Sequence, residues 1–342
     1  MPTCDDRIRA LPRAHLHLHF PRTIRPDTLR ELAARAGASL AGFYSFTNLP
    51  EFLARTPISS FITTRDDLSR LCRELVEDEA RDGVLYSEPM IVLGRFVPRF
   101  GNRDDVLGQM REAFDEAGAE FGVEVGIMLG FSRHQDLAPA AEELARFAAR
   151  HVGGVVALGF GGDEERVGPA TFARACTIAR EAGLLVVPHA GETVGPESVV
   201  AALDALHPDR IAHGVRAAED RVVLARLADE GVTCDVCPTS NLRLGVSPSI
   251  ERHPVKRMID AGVPVTLGAD DPIDFGVTCG GEYALVRDAF GLSDQQLAAI
   301  AETSARASGA SQATKTRIIA GIQGWLMGTP AADPDPRSRI MP

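Results

Sequence analysis

Short apolar runs and amphipathic stretches alternate along most of the chain. The runs are rich in β-branched and small residues, and they predict eight strands, at 14–20, 83–91, 122–131, 153–160, 183–190, 210–214, 231–238 and 262–270. Between them, apolar residues recur at three- and four-residue spacing. This spacing predicts helices at 27–37, 65–81, 103–119, 137–151, 169–182, 196–206, 219–230 and 250–261.

Regular alternation of strand and helix is typical of an α/β fold with a parallel sheet covered on both faces. Eight such units favour a closed (β/α)8 TIM-type barrel. A doubly wound open sheet is the alternative, but it usually carries a Gly-rich phosphate turn after its first strand, where this chain reads HFPRTI. We therefore expect one barrel domain over residues 1–329, with extra helices after strand one and at the C-terminus, and a disordered tail at 330–342.

A Phe-rich stretch at 41–61 is inserted between the first helix and the second strand. Two interpretations are open: a packed satellite helix, or an apolar lid over the mouth of the barrel.

Composition narrows the class of protein. The chain has 342 residues, 45% hydrophobic and 24% charged, with a formal net charge of −11, so we expect no nucleic-acid partner. There is no apolar run of about 18 residues for a membrane span and no apolar signal segment at the amino terminus. A cytoplasmic enzyme acting on a small molecule is the expectation. The sequence does not indicate an oligomeric state.

Polar residues stand at the carboxyl ends of the predicted strands, where barrel enzymes place their catalytic groups. Strands one, five, six and eight supply His17 and His19, His189, His213, and Asp270 with Asp271. Such residues at several strand ends indicate a common site at the barrel mouth.

The first strand carries a triplet, H-x-H-x-H, whose three histidines share one side of the strand. Spacing alone does not say which of them reach the mouth. We assign His17 and His19, nearer the strand end, to the site and give His15 a structural role. We expect no chemical role for the histidines at 134, 151, 207 and 253.

Three imidazoles and one carboxylate, from His17, His19, His189 and Asp270, suit one zinc ion per chain or another borderline divalent ion. Such an ion lowers the pKa of a bound water towards ~7. Hydrolysis is the reaction class that follows.

Several segments then resemble, in order, the signature segments of the adenosine deaminase family within the amidohydrolase superfamily, whose members act on adenosine, adenine or aminodeoxyfutalosine. They are LPRAHLHLH from residue 11, PHAGE at 188–192, HG at 213–214, CPTSN at 237–241 and LGADDP at 267–272. The combination is specific, although an isolated H-x-H would be weak.

The resemblance implies a role for each matching position. His17, His19, His189 and Asp270 would bind zinc, and Asp270 would also belong to the catalytic set. Glu192 would protonate a ring nitrogen of an aminopurine, while His213 would orient or deprotonate the attacking water and stabilise the developing charge. Asp271 would meet purine N7, and the Gly162 amide would meet N3.

The chemistry of deamination supports the assignment of Glu192, because an aromatic amidine carbon resists attack until its ring nitrogen gains a proton. The alternative for Glu192 is an N-cap partner of the helix that begins near Pro196.

The chain departs from the family after the second histidine of H-x-H. The family has an acidic residue and a glycine there, beside the sugar, whereas this chain has Pro21 and Arg22. A guanidinium pairs well with carboxylate or phosphate. We therefore hypothesise an aminopurine nucleoside with an anionic or bulky 5′ substituent, such as 6-aminodeoxyfutalosine. The alternative is that Arg22 turns outward to solvent.

Other functions stay open. A free base or another aminated heterocycle could be the substrate, and a catalytically inactive nucleoside-binding relative is the candidate from another class. A two-metal barrel hydrolase usually needs a carboxylated lysine at the end of strand four, but that strand reads VVALGF and the only lysines are Lys256 and Lys315.

Overall fold

The computed structural model describes residues 5–133 and 137–328. All eight predicted strands are present, and each of the first three is divided into two short pieces. The pieces are β1 (Arg13–His15), β2 (His19–Phe20), β3 (Val84–Ser87), β4 (Met90–Ile91), β5 (Glu124–Val125), β6 (Ile127–Ser132), β7 (Val155–Gly161), β8 (Leu185–Ala190), β9 (Arg210–His213), β10 (Thr233–Val236) and β11 (Val265–Leu267).

The strands pair in parallel, in chain order, around a barrel. One sheet runs β11-β10-β9-β8-β7-β6-β4-β2, and the amino-terminal pieces pair as β1-β3-β5. The Asp270 amide donates to the His17 carbonyl at 3.0 Å, and the His19 amide donates to the Asp270 carbonyl at 2.9 Å, which joins the first strand to the last. Gly268 permits this approach, since a Cβ there would lie 2.8 Å from the His17 carbonyl oxygen. The predicted barrel is confirmed.

Helices surround the barrel. They are α1 (Asp6–Arg9), α2 (Pro26–Arg35), α3 (Leu49–Leu53), α4 (Arg65–Arg81), α5 (Val97–Phe100), α6 (Arg103–Phe121), α7 (Ala138–Ala149), α8 (Ala173–Glu181), α9 (Pro196–Leu206), α10 (Arg221–Glu230), α11 (Pro238–Arg243), α12 (Val255–Asp260), α13 (Pro272–Phe275), α14 (Cys279–Phe290), α15 (Asp294–Ala307) and α16 (Gln312–Leu326). The predicted bounds of α4 and α9 are correct. The predicted helices at 169–182, 219–230 and 250–261 are shorter, because each follows a separate 3-10 turn.

The inserted stretch 41–61 contains α3 and a 3-10 turn at Ile58–Ser60. Phe46, Leu49 and Phe52 pack with Leu244 and Phe275 in a small apolar cluster beside the main core. The Phe52 and Phe275 rings stack with their centroids 5.6 Å apart. The stretch is thus a packed satellite of the barrel.

No helix within the described ranges is long and apolar enough to cross a membrane. The proposed tail at 330–342 lies outside the described residues. The extent of the single domain, 1–329, stays a prediction.

Candidate active site

The predicted histidines meet at the carboxyl end of the barrel. The centroid of the His17 ring lies 5.4 Å from that of His19, 4.9 Å from that of His189 and 4.6 Å from that of His213. Asp270 completes the group, with its Oδ1 3.0 Å from His19 Nε2 and 3.4 Å from His17 Nε2. The barrel therefore brings together side chains from its first, fifth, sixth and eighth strands.

The donor atoms fit one divalent ion. Nitrogens of His17, His19 and His189 all lie within 4.8 Å of one another. His17 Nδ1 lies 3.2 Å from the Asp235 carbonyl oxygen, which only accepts, so its hydrogen is on Nδ1 and the Nε2 lone pair faces the site. His17 Nε2 and His189 Nδ1 are buried with no hydrogen-bond partner among the described residues. Because a buried unpaired nitrogen is costly, a bound ion explains this arrangement.

The charges of these predicted ligands suit a cation. Burial on its own would raise the pKa of Asp270, but the imidazoles of His17 and His19 hold it well below its usual value. Burial, together with His17, lowers the pKa of His189 well below its ordinary value, which keeps the ring neutral. A carboxylate and neutral imidazoles are the forms that bind a metal.

His15, the third histidine of the triplet, has structural partners. Its Nδ1 lies 2.9 Å from Glu79 Oε1, and its Nε2 accepts a hydrogen bond from the Ala269 amide at 2.9 Å. Both ring nitrogens are engaged, so His15 supports the strand that presents Asp270.

Glu192 lies beside this centre and is 4% exposed. Burial, with a further contribution from Asp270, raises its pKa well above the ordinary value of a glutamate. The alternative role as a helix cap is wrong, because Gly195 is the N-cap of α9 and no side chain caps it. Glu192 is thus a buried carboxyl group whose acidic form is favoured by its surroundings.

His213 contacts both carboxyl groups. Its Nε2 lies 3.6 Å from Glu192 Oε1 and 3.8 Å from Asp270 Oδ2. Burial, with a contribution from His17, lowers the pKa of His213 to about 3, so the ring is neutral near pH 7.

The turn that carries Glu192 is held by Glu164, which was not predicted from the sequence. The Glu164 carboxylate accepts hydrogen bonds from four consecutive backbone amides, at residues 191–194, over 2.6 to 3.1 Å. Ser198 donates to the same carboxylate. The only sequence signal was an acidic residue just after the fourth predicted strand. Its position does not indicate which backbone amides the carboxylate would bind.

A cavity of about 240 Å³ opens in front of these residues. Gly162, Asp271 and Arg22 all line it, as do His19, His189, Glu192, His213 and Asp270. Arg22 does not turn outward: its side chain is 12% exposed, and its Nη1 lies 2.6 Å from Asp274 Oδ2. Whether these residues contact substrate stays a prediction.

The stretch 41–61 closes one side of the cavity with Leu49, Phe52, Leu53 and Arg55. Arg55 Nη1 lies 2.7 Å from Asp274 Oδ1, so Arg22 and Arg55 share one carboxylate. Arg55 Nη2 is buried and has no hydrogen-bond partner among the described residues. The wall that this packed stretch gives the cavity is therefore polar at Arg55, a residue that sequence patterning did not single out.

One histidine expected to have no role lies directly behind the site. His253 is 3% exposed, and its Nε2 lies 3.0 Å from Asn241 Oδ1. This hydrogen bond connects the residue before α12 to α11, and the expectation that His253 has no chemical role is not tested by it. His151 Nε2 lies 3.1 Å from Asp104 Oδ1, and neither residue lines the cavity. Residue 134 lies outside the described residues.

A larger groove, of about 820 Å³, lies elsewhere, between α2, α4 and α14. Charged groups along it are paired: Arg25 lies 2.7 Å from Asp78, and Asp82 lies 2.9 Å from Arg13, which is buried behind the groove. The smaller cavity is the candidate active site, because unpaired buried polar atoms converge there.

Comparison with known proteins agrees with this geometry. The family model for adenosine deaminase matches residues 12–325. A putative adenosine/adenine deaminase of Streptomyces coelicolor is 39% identical, over 94% of this chain and 98% of the relative.

Solved structures share the fold. An adenine deaminase from Arthrobacter aurescens has a TM-score of 0.84 at 29% identity, over 92% of this chain and 99% of that one. An amidohydrolase from Burkholderia ambifaria, crystallised with bound zinc, has a TM-score of 0.83 at 26% identity, over 96% and 94%. The chain therefore belongs to the adenosine deaminase family and is a metal-dependent amidohydrolase that acts on C–N bonds.

Proposed function

We propose that this chain hydrolyses the 6-amino group of an aminopurine and releases ammonia, with His17, His19, His189 and Asp270 holding one zinc ion. The observation that carries the proposal is the convergence of these residues with Glu192, a buried carboxyl group of raised pKa, at one cavity. Zinc lowers the pKa of a coordinated water, which supplies the nucleophile at neutral pH.

Glu192 acts as the general acid. Its raised pKa keeps a proton available for the ring nitrogen beside the attacked carbon. Protonation of that nitrogen makes the carbon electrophilic, so the carboxyl group is needed before the amino group can leave.

Asp271 and Gly162 orient the purine ring. Burial, and then Asp270, raise the pKa of Asp271 well above its ordinary value, so its carboxyl group can donate a hydrogen bond. Purine N7 only accepts, which suits such a donor. The Gly162 amide at the end of β7 would meet N3. Asp271 Oδ1 has no hydrogen-bond partner among the described residues, so it is available to bond a ligand.

The charge of the cavity wall supports a nucleoside that bears an anionic substituent. Arg22 and Arg55 both pair with the single carboxylate of Asp274, and Arg22 Nε also lies 3.7 Å from Asp271 Oδ1. Burial, and then Asp270, raise the pKa of Asp271 well above its ordinary value, which weakens Asp271 as a second counterion. Arg55 Nη2 is left without a hydrogen-bond partner among the described residues. The family resemblance would place the sugar beside Arg22, where these guanidinium groups could recognise a 5′ carboxylate or phosphate.

Free adenine is the second candidate. The cavity of about 240 Å³ is smaller than the ~300 to 1,000 Å³ typical of sites for drug-sized ligands. A single heterocycle fits such a volume without movement of α3.

An ammonia-release assay of the zinc-loaded protein tests both candidates. The substrates are adenine, adenosine, a 5′-carboxylated adenosine and adenosine 5′-monophosphate, each with wild type, Arg22→Met and Arg55→Met. We expect either substitution to lower kcat/KM about 10- to 100-fold on the anionic nucleosides, as loss of a charged hydrogen bond does, with little change on adenine.

The exposed Arg257 on α12 offers a matched control, Arg257→Met, which should change none of these values. Equal losses on all substrates would remove the case for an anionic substituent and favour adenine. No ammonia from any purine would overturn deamination.

A further inference from the structure

Three buried side chains form a hydrogen-bonded chain that leads from the cavity wall into the protein. They are His213 at the end of β9, Asn241 on α11 and His253 just before α12, exposed by 1%, 0% and 3%. His213 faces the cavity, and the other two lie behind it. Each of these side chains donates or accepts at a defined atom. The series of hydrogen bonds therefore determines which ring nitrogen of each histidine carries the hydrogen.

The innermost link fixes His253. The Val255 backbone amide donates to His253 Nδ1 at 3.2 Å. A peptide N–H can only donate, so Nδ1 carries a lone pair. Burial lowers the pKa of His253 to about 4, which leaves the ring neutral near pH 7 with its one hydrogen on Nε2.

Asn241, the middle residue, connects His253 to His213 through the two ends of its side-chain amide. His253 Nε2 lies 3.0 Å from Asn241 Oδ1, which accepts its hydrogen. The other end of the same amide, Asn241 Nδ2, lies 3.4 Å from His213 Nδ1. An amide NH₂ only donates, so His213 Nδ1 must accept. The partners, rather than the labels of the amide atoms, set the orientation of Asn241.

We propose that Asn241 and His253 are positioning residues that fix the tautomer of His213, with its hydrogen on Nε2 towards Glu192 and Asp270. His213 then presents an N–H to the cavity, from 3.6 Å and 3.8 Å away from these two carboxyl groups.

This tautomer separates the two roles that the family resemblance left open for His213. A ring that carries hydrogen on Nε2 and accepts at Nδ1 donates to the attacking water and to the negative charge that develops there. It does not remove a proton from the water. This donor role of His213 rests on the proposed deamination, whereas the assignment of its tautomer does not.

Long-range ¹H–¹⁵N correlation spectra of the zinc-loaded protein, labelled with ¹⁵N-histidine, test the proposal without substrate. The His213 signals are assigned by their loss in His213→Gln. We expect a protonated Nε2 and an unprotonated Nδ1. His15 is an internal reference of the opposite tautomer, because its Nε2 accepts from Ala269 and its Nδ1 faces Glu79.

Two variants of the chain make the test specific. In Asn241→Asp the carboxylate only accepts, so the hydrogen of His213 should move to Nδ1, and kcat should fall about 10- to 100-fold with little change in KM. In His253→Gln an amide N–H can still donate to Asn241, so the wild-type tautomer should persist. Unchanged zinc content and unchanged His15 signals show that each variant is folded.

A wild-type His213 that carries its hydrogen on Nδ1 would overturn the proposal, as would an Asn241→Asp variant with an unaltered tautomer. If the tautomer is as expected but no purine is deaminated, only the proposed function fails. The two hypotheses are thereby tested separately.

Discussion

At the scale of single residues, two side chains of the site stand on backbone that non-glycine residues rarely adopt. His213 has φ of 65° and Asp270 has φ of 59°. A left-handed conformation at such residues costs roughly 1–3 kcal/mol, and it persists only where the surroundings enforce it. Here the conformation occurs at the ends of β9 and just after β11, where the chain has to turn and still aim a side chain into the cavity.

Glu192 is the residue whose loss should affect the chemistry most directly. Glu192→Gln keeps the shape of the side chain but removes its acidic proton, so we expect kcat to fall by about 10²- to 10⁴-fold. Zinc content should be unchanged, because Glu192 is not among the proposed ligands. Measurement of kcat together with metal analysis checks both expectations.

The pH profile gives the sign of the same effect. Since burial raises the pKa of Glu192, its acidic form is complete below that raised pKa and is lost as the pH rises through it. The kcat/KM of the wild type should therefore decline on the alkaline side. Full turnover by Glu192→Gln, or a loss that merely follows loss of zinc, would contradict the assignment of the acid.

At the scale of elements, the site depends on how the loop after β7 meets the turn between β8 and α9. Glu164 supplies the contact by accepting from the amides of residues 191–194. Its carboxylate satisfies N–H groups that no strand or helix pairs. The same loop thereby fixes the distance between His189 and Glu192.

Glu164→Gln should weaken both the fold and the turnover. The new NH₂ group faces backbone donors and cannot accept from them, so the free energy of unfolding should fall by about 1–3 kcal/mol. We expect kcat to decrease more than KM increases, because Glu192 loses its fixed position. Urea unfolding and steady-state kinetics measure the two effects.

A neighbouring acid offers the control. Glu165 is exposed one residue further on, so Glu165→Gln should behave as wild type in both measurements. A Glu164→Gln variant with unaltered kinetics would show that the turn holds its shape without this carboxylate.

The barrel, and the convergence of histidines and Asp270 at its carboxyl end, could be predicted because both follow local rules. Apolar runs indicate the strands, and the polar residues that follow those runs indicate the catalytic end of the barrel. Glu164, Asn241 and His253 escaped prediction because their roles depend on contacts between separate elements, and no local pattern specifies those contacts.

The cavity wall shows the same limit. Arg55 meets Asp274 across 219 positions of sequence, so neither residue identifies its partner. Helices as short as α11 and α13 span too few turns to give a periodic signal.

At the scale of the whole molecule, the proposed metal site lies at the closure of the barrel. The first and last strands are joined by backbone hydrogen bonds between His19, His17 and Asp270, three of the four proposed ligands. His189 comes from β8, across the barrel mouth. An ion bound here links the beginning, middle and end of the barrel, so binding it should stabilise the fold as a unit.

Removal of the metal should therefore lower the thermal midpoint of the whole chain. A ligand that binds only the native state stabilises it by about 4 kcal/mol when its concentration is 1,000 times Kd. We expect a chelator to lower the midpoint of wild type by several degrees, and added zinc to restore it.

Asp270→Asn should begin with a lower midpoint and respond weakly to both, whereas Glu192→Gln should respond as wild type does, because it retains all four ligands. Differential scanning calorimetry, with metal content measured in parallel, distinguishes these outcomes. A wild-type midpoint that is indifferent to the chelator, although the metal has been removed, would show that the ion serves the chemistry alone and that backbone hydrogen bonds suffice to close the barrel.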